Sequence, residues 1–214
     1  MWWLSTLPHV LRRTLALVVA LLVSVAGAEA SDAAGPLLGF HGDSMGAQAR
    51  TQITAKLSQA YQPIVRAQER ADIDTMTPGI REQVERPAPP EIVLIELGAG
   101  DAHERHTDAG MRADIRRVLY LTRDIPCVRW LNLKIAGVNG FYQGYVDRAD
   151  DFNRILARAI THYRNARVAP YREWAAGHAG SFKSDGLHHT AQGKTRFAAW
   201  VEGVVDNPVC ANAP

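Results

Sequence analysis

Charge of one sign is what this sequence has least of. Its 24 Lys and Arg stand against 22 Asp and Glu, a formal net charge of +2, with no long run of either kind. A protein that grips the phosphate backbone of a nucleic acid carries a basic face, and nothing here supplies one. Internal repeats, low-complexity tracts and linker-like stretches are missing too. The 214 residues are therefore expected to form one domain, long enough for a substantial core. The apolar stretch Thr14 to Val25 is shorter than the roughly 20 residues a membrane-spanning helix needs.

That stretch has a different reading. Arg12 and Arg13 precede it and Ala28-Glu29-Ala30 follows it. A basic start, a short apolar run and an Ala-x-Ala site describe a secretory signal peptide, with cleavage after Ala30. An uncleaved anchor is the alternative. The expectation is a secreted or periplasmic, cell-envelope protein, monomeric, whose single domain occupies residues 31–214. Cysteine is scarce, with Cys127 and Cys210 the only two. In an exported chain two cysteines are expected to pair. Cys127 stands just before the apolar run Val128 to Leu133, at the amino end of that strand. Cys210 follows the last helical pattern, which returns to the same end. Two buried thiols are the alternative. Closing so long a loop stabilises a fold by about 3–5 kcal/mol on chain-entropy grounds.

Past the leader, short apolar runs alternate with helical patterns. Leu37 to Phe40 leads into Gly42-Asp43-Ser44-Met45-Gly46, which puts Ser44 at the carboxyl end of a first strand. Gln48 to Tyr61 has helical spacing, and Gln62 to Ala67 forms a short second strand. Asp72 to Pro78 is turn-rich, with Gly79 opening a short helix that ends before Pro87. Glu91 to Leu97 is a nearly continuous apolar run, suited to a parallel strand covered on both faces. Glu96 within it needs a hydrogen-bonding partner if buried. The strand ends at a second glycine-rich turn, Gly98 to Asp101. Met111, Ile115, Val118, Leu119 and Thr122 mark a helix. Val128 to Leu133 is a strand, and Lys134 to Asp147 a loop. Phe152 to Tyr163 is a core-facing helix, Arg167 to Ala169 a last strand, and Glu173 to Ser184 loop. Thr190 caps a final helix through Val205. Alternation of this kind predicts a doubly wound parallel α/β sheet.

Ligand sites in such sheets gather at the carboxyl ends of the strands. Ser44, Gly98 to Asp101, and Asp185 with His188 all fall there. A serine hydroxyl attacks poorly until a base takes its proton, and histidine is the usual base near neutral pH. The imidazole needs a partner that fixes its tautomer, and Asp185, three residues before His188, is placed for that. Plain turns use Gly-Asp-Ser too, so no one of these pieces suffices alone.

Together, Gly-Asp-Ser-Met at 42–45, Gly-Ala-Gly-Asp at 98–101 and Asp-Gly-Leu-His at 185–188 resemble three blocks of the GDSL/SGNH hydrolase superfamily. The resemblance spans about Leu37 to Val205. It implies a flavodoxin-like three-layer α/β/α sandwich with a parallel sheet of about five strands, and a serine hydrolase that works on ester bonds without metal or organic cofactor. Ser44 would be the nucleophile, His188 the base and Asp185 its orienting acid; the Asp-x-x-His spacing selects His188 over His189. The family's oxyanion hole implies three donors: the Ser44 N–H, a second-block glycine N–H, for which Gly79 is the candidate, and a third-block asparagine amide.

The third block departs from the pattern, since Gly100 stands where asparagine is expected. Loss of one such donor costs about 10²–10³ in rate where it has been measured. Three readings follow: the Gly100 N–H or a water replaces the amide, a neighbour such as His103 does, or the protein is slow or non-catalytic. Asp43, Phe141 and Tyr142 are candidates for a substrate pocket, although Phe141, Tyr142 and Tyr145 equally suit packing of their loop. Asp101, His103, His106 and Asp108 are expected to be solvated polar residues rather than a metal site. The expected substrate is a small-molecule or cell-envelope ester. Acyl transfer to a sugar hydroxyl, and non-catalytic glycan or lipid binding, are the alternatives.

Overall fold

A computed structural model describes residues 35–104, 106–134, 137–138 and 143–206. The leader, Phe141, Tyr142 and Cys210 lie outside the described residues. Five parallel strands, β1 (Leu37–Gly42), β2 (Gln62–Ala67), β3 (Ile92–Glu96), β4 (Cys127–Leu131) and β5 (Ala166–Ala169), form one sheet in the order β2-β1-β3-β4-β5. This is the flavodoxin-like order, with its switch point between β1 and β3. Val93, Leu94 and Ile95 are all fully buried, which the uninterrupted apolar run requires of a strand covered on both faces.

The helices are α1 (Ser44–Leu57), α2 (Ile73–Val84), α3 (Ala99–His103), α4 (Asp108–Leu121), α5 (Gln143–Ile160), α6 (Tyr171–Ala176) and α7 (Ala191–Val205). α1 packs against α7, while α4 packs against α2 and α5, which gives the sheet its two helical layers. None of the helices among the described residues is long and apolar enough to cross a membrane. Cys127 is buried at the amino end of β4, as its place before an apolar run requires. No cysteine among the described residues is free.

Several boundaries differ from the sequence reading: α5 begins at Gln143, inside the expected loop, α3 stands at the expected glycine-rich turn, and at three further places a cap or tertiary packing outweighs local punctuation. α1 begins at Ser44 itself, because the Asp43 side chain accepts the Met45 N–H and serves as N-cap. α2 begins at Ile73, ahead of Pro78, because Asp72 accepts the Thr75 N–H at 2.7 Å. Pro78 is carried inside the helix, and Gly79 sits mid-helix instead of opening it. A short helix, α6, stands where loop was expected, with Tyr171 buried against the core.

Gly98 shows how closely the β3–α3 turn is packed. It has a φ of +127°, and a Cβ there would lie 2.1 Å from the Phe152 ring of α5. Gly98→Ala is therefore expected to lower unfolding stability by about 2 kcal/mol or more. Urea denaturation of the variant beside wild type measures this, and an unchanged midpoint would mean the ring yields freely.

Candidate active site

Ser44 is the first residue of α1, at the carboxyl end of β1 and beside that of β3. The opening turn of a helix leaves N–H groups without intrahelical acceptors. Here Met45 is capped by Asp43 Oδ1 at 3.1 Å, Gly46 by Glu96 Oε2 at 2.8 Å, and Ala47 closes onto the Asp43 carbonyl at 2.8 Å. The Ser44 N–H alone of these four has no intramolecular acceptor among the described residues, and it is the donor expected for an oxyanion. Glu96 Oε2 also accepts the Asp43 N–H at 3.1 Å. A Cβ at Gly42 or Gly46 would stand 2.6 or 2.7 Å from that same oxygen. Glycine flanks Asp-Ser-Met because the Glu96 carboxyl occupies the space.

His188 arrives on the loop before α7. Ser44 Oγ lies 3.1 Å from His188 Nε2, and His188 Nδ1 lies 2.9 Å from Asp185 Oδ2. Asp185 Oδ1 accepts the backbone N–H groups of Leu187 and His188, both at 2.9 Å. Partial burial pushes Asp185 up, but the His188 contact and these two N–H bonds outweigh it and hold the carboxyl below its ordinary range. The loop turns at Gly186, whose φ is +71° and whose absent Cβ would stand 1.7 Å from the Gly137 carbonyl. Lys134 Nζ donates to the Gly186 carbonyl at 2.5 Å, its charge depressed by burial and supported by Asp185.

His189 does other work. It is buried, accepts or donates at Nε2 with the Tyr171 hydroxyl at 3.0 Å, and stacks on Phe197 with centroids 4.7 Å apart. Burial lowers its pKa to about 3, which keeps it neutral. Tyr171, Trp174, Phe182, Phe197 and Trp200 surround it as one aromatic cluster behind the base.

Ser44 and His188 open into a cleft of about 580 Å³, which Asp43, Arg70, Gly100 and Tyr145 also line. Asp43 thus reaches the site, though nearly wholly buried as a cap. Gly79 does not line the cleft; it faces Arg66, whose Nη1 donates to its carbonyl at 3.2 Å, so it cannot supply the second donor. The loop after β2 stands on the cleft wall instead, with Glu69, Arg70 and Ala71 lining it and Arg70 at a φ of +60°. Gly100 does line the cleft. An added Cβ there would lie 2.5 Å from the Ala71 carbonyl, so this loop fills the space that a longer side chain would need.

The polar residues after β3 divide between structural roles. Asp101 accepts the Ile73 N–H at 3.1 Å and faces His106 at 3.4 Å; burial is the main cause that raises its pKa to about 6. Asp108 pairs with Arg148 and Arg154, and His103 lines the cleft. Asp101, His106 and Asp114 each place a ligand atom within 4.8 Å of the others, as do Asp72, Glu104 and His106. Asp114 is already held by Arg117, and Asp101 by the Ile73 N–H. Sequence reasoning missed Arg70, Ala71 and Lys134. Only the lone acid in an apolar strand, Glu96, left a signal.

No family model and no curated protein matches this sequence. Solved structures do match its fold. The C-terminal catalytic domain of peptidoglycan O-acetyltransferase A from Streptococcus pneumoniae is 15% identical with a TM-score of 0.64, over 84% of this chain and 97% of that one. A GDSL-like lipase from Bacteroides thetaiotaomicron is 15% identical with a TM-score of 0.63, over 80% and 88%. A catalytic mutant of the acetylxylan esterase Axe2 from Geobacillus stearothermophilus is 12% identical with a TM-score of 0.61, over 80% and 94%. What these structures share with this chain is the α/β fold, here a five-stranded parallel sheet in the order β2-β1-β3-β4-β5.

Proposed function

We propose that this protein is an exported serine esterase or deacylase acting through Ser44, His188 and Asp185. The observation that carries the reading is the unbroken hydrogen-bonded chain from Ser44 Oγ through His188 to Asp185, open to the cleft. As Oγ bonds to the ester carbonyl carbon, His188 Nε2 takes the hydroxyl proton, and Asp185 stabilises the imidazolium at Nδ1. The oxyanion meets the Ser44 N–H, with the cleft-lining backbone at Gly100 and at Glu69, Arg70 and Ala71 as candidate second sources. His188 then gives its proton to the leaving alkoxide. Water, deprotonated by the same imidazole, releases the acyl group and regenerates Ser44. A sugar hydroxyl in place of that water turns hydrolysis into acyl transfer.

The cleft wall carries Gln48, Glu69, Arg70, His103 and Glu104, so it suits a short acyl group on a polar carrier better than a long alkyl chain. Two of the similar structures are named for acetyl chemistry on peptidoglycan and xylan, which supports a saccharide carrier. Export after cleavage near Ala30 and a Cys127–Cys210 bridge belong to the same proposal.

Labelling of the protein with a fluorophosphonate probe is expected, and is expected to be lost in both Ser44→Ala and His188→Ala. Folded wild type that takes no label, yet binds glycan equally well after Ser44→Ala, would favour a binding module, the reading that Gly100 keeps open. Gly100→Asn is expected to lower kcat by about tenfold or more rather than restore a donor, because the loop at Ala71 must move; a rise in kcat would show the amide had room. Across p-nitrophenyl esters, kcat/KM is expected to fall from acetyl to palmitoyl, and a steady rise would rule out the polar-carrier reading.

A further inference from the structure

Two carboxyl groups lie buried under the serine, and the mechanism above uses neither. Asp43 and Glu96 are each about 2% exposed. They face one another, and neither pairs with a lysine or arginine among the described residues. Two adjacent carboxylates away from water and without a counter-cation do not both ionise. The hydrogen bonds say which one keeps the proton. Burial raises Asp43 as well, but its Oδ1 caps Met45 and it faces the imidazole of His188, so it is the better anion. Glu96 spends one oxygen, Oε2, on two N–H groups, and Asp43 Oδ2 beside it is buried with no hydrogen-bonding partner among the described residues, an acceptor that a proton on Glu96 Oε1 would satisfy.

We infer that Glu96 is the positioning residue for Ser44, a neutral carboxyl group that holds the first turn of α1 through Oε2 and bridges to the Asp43 carboxylate through Oε1–H. The inference rests on the serine-hydrolase reading for its kinetic consequence, but not for the proton itself. Among the described residues Glu96 is the acceptor that reaches the Gly46 N–H, two residues past the nucleophile, and it does so from β3. It ties β3 to the turn that presents both Oγ and the N–H of Ser44. Burial is the largest cause that drives Glu96 well above its ordinary value, with the Asp43 charge adding to it. Tyr145 of α5 and Tyr171 of α6 also face the pair; burial and the two carboxyls push both phenols up, so they stay neutral. The imidazole of His188 is the titratable group on the remaining side.

A glutamine is the uncharged copy of a protonated glutamate: its amide oxygen accepts the two N–H groups and its NH₂ donates to Asp43. Glu96→Leu keeps the volume and removes both functions. The experiment compares wild type, Glu96→Gln and Glu96→Leu in fluorophosphonate labelling rate, kcat and KM, and in melting temperature from pH 4 to 9. Glu96→Gln is expected to keep labelling and kcat within about threefold of wild type, while Glu96→Leu loses about 10- to 100-fold in both with KM little changed. The stability arm does not need activity. Wild-type Glu96 ionises at its ordinary value when unfolded and above it when folded, so its contribution to stability is lost as pH rises from the unfolded toward the folded value. Glu96→Gln has no such loss. Its melting temperature is expected to rise relative to wild type as pH climbs from about 4.5, the difference vanishing in acid.

Glu96→Leu that folds and labels at the wild-type rate would overturn the positioning role. If Glu96→Leu does not fold, the glutamine variant still decides: loss of labelling in a folded Glu96→Gln, or a melting difference that does not change with pH, would overturn the neutral carboxyl. Wild type that takes no label while the pH-dependent difference appears would instead defeat the hydrolase reading and leave the shared proton standing.

Discussion

The register of β1 against β3 is the constraint on which the cleft depends. Leu38 pairs with Ile92 and Gly42 with Glu96, so the strand that ends at Ser44 and the strand that ends at the Gly98 turn finish level. Side chains alternate between faces along a strand, and a slip of one residue would carry Glu96 to the opposite layer. The elbow would then meet Ile95 or Leu97, with no acceptor for the Gly46 N–H. Fixing this register are Leu38, Phe40, Val93, Leu94 and Ile95, all fully buried between two helical layers. Core packing and site geometry are in this sense one property.

The second wall of the site reaches the first by a long route, since nearly the whole domain separates Ser44 from His188. The Asp185–His188 loop is held locally, by two backbone N–H bonds onto Asp185, and at a distance, by Lys134 and the close approach of Gly186 to Gly137. Aspartate in this position does two jobs. It orients the imidazole, and it stiffens the turn from which the imidazole hangs.

Much of this was legible in the residues. Gly-Asp-Ser-Met sits at the end of β1 and Asp-x-x-His on the loop that leads into α7, places that polar turns beside short elements can take. Thr190 caps α7 as its sequence position demands. What failed did so where local signals compete with distant ones. Pro78 reads as a breaker, yet the Asp72 cap starts α2 before it and the helix continues through it. Tyr171 and Trp174 form a helix because the core receives them, not because their neighbours favour one. Gly100 looks like a lost donor; only the three-dimensional approach of Ala71 explains why a side chain has no room there. Gly79 offered a glycine in the right order of sequence, but mid-helix and on the wrong surface.

Aromatic side chains are only 7% of this chain, and five of them gather behind His189. Across the cleft, Glu69 and Arg70 stand exposed on a short connection between β2 and α2. The two sides of the site therefore differ in how freely they can change over time. The wall that carries the base is locked into the core, and most substitutions there disturb the whole layer. The facing wall is exposed and packs against little, so a few surface residues there can change while Ser44, His188 and Asp185 stay where they are.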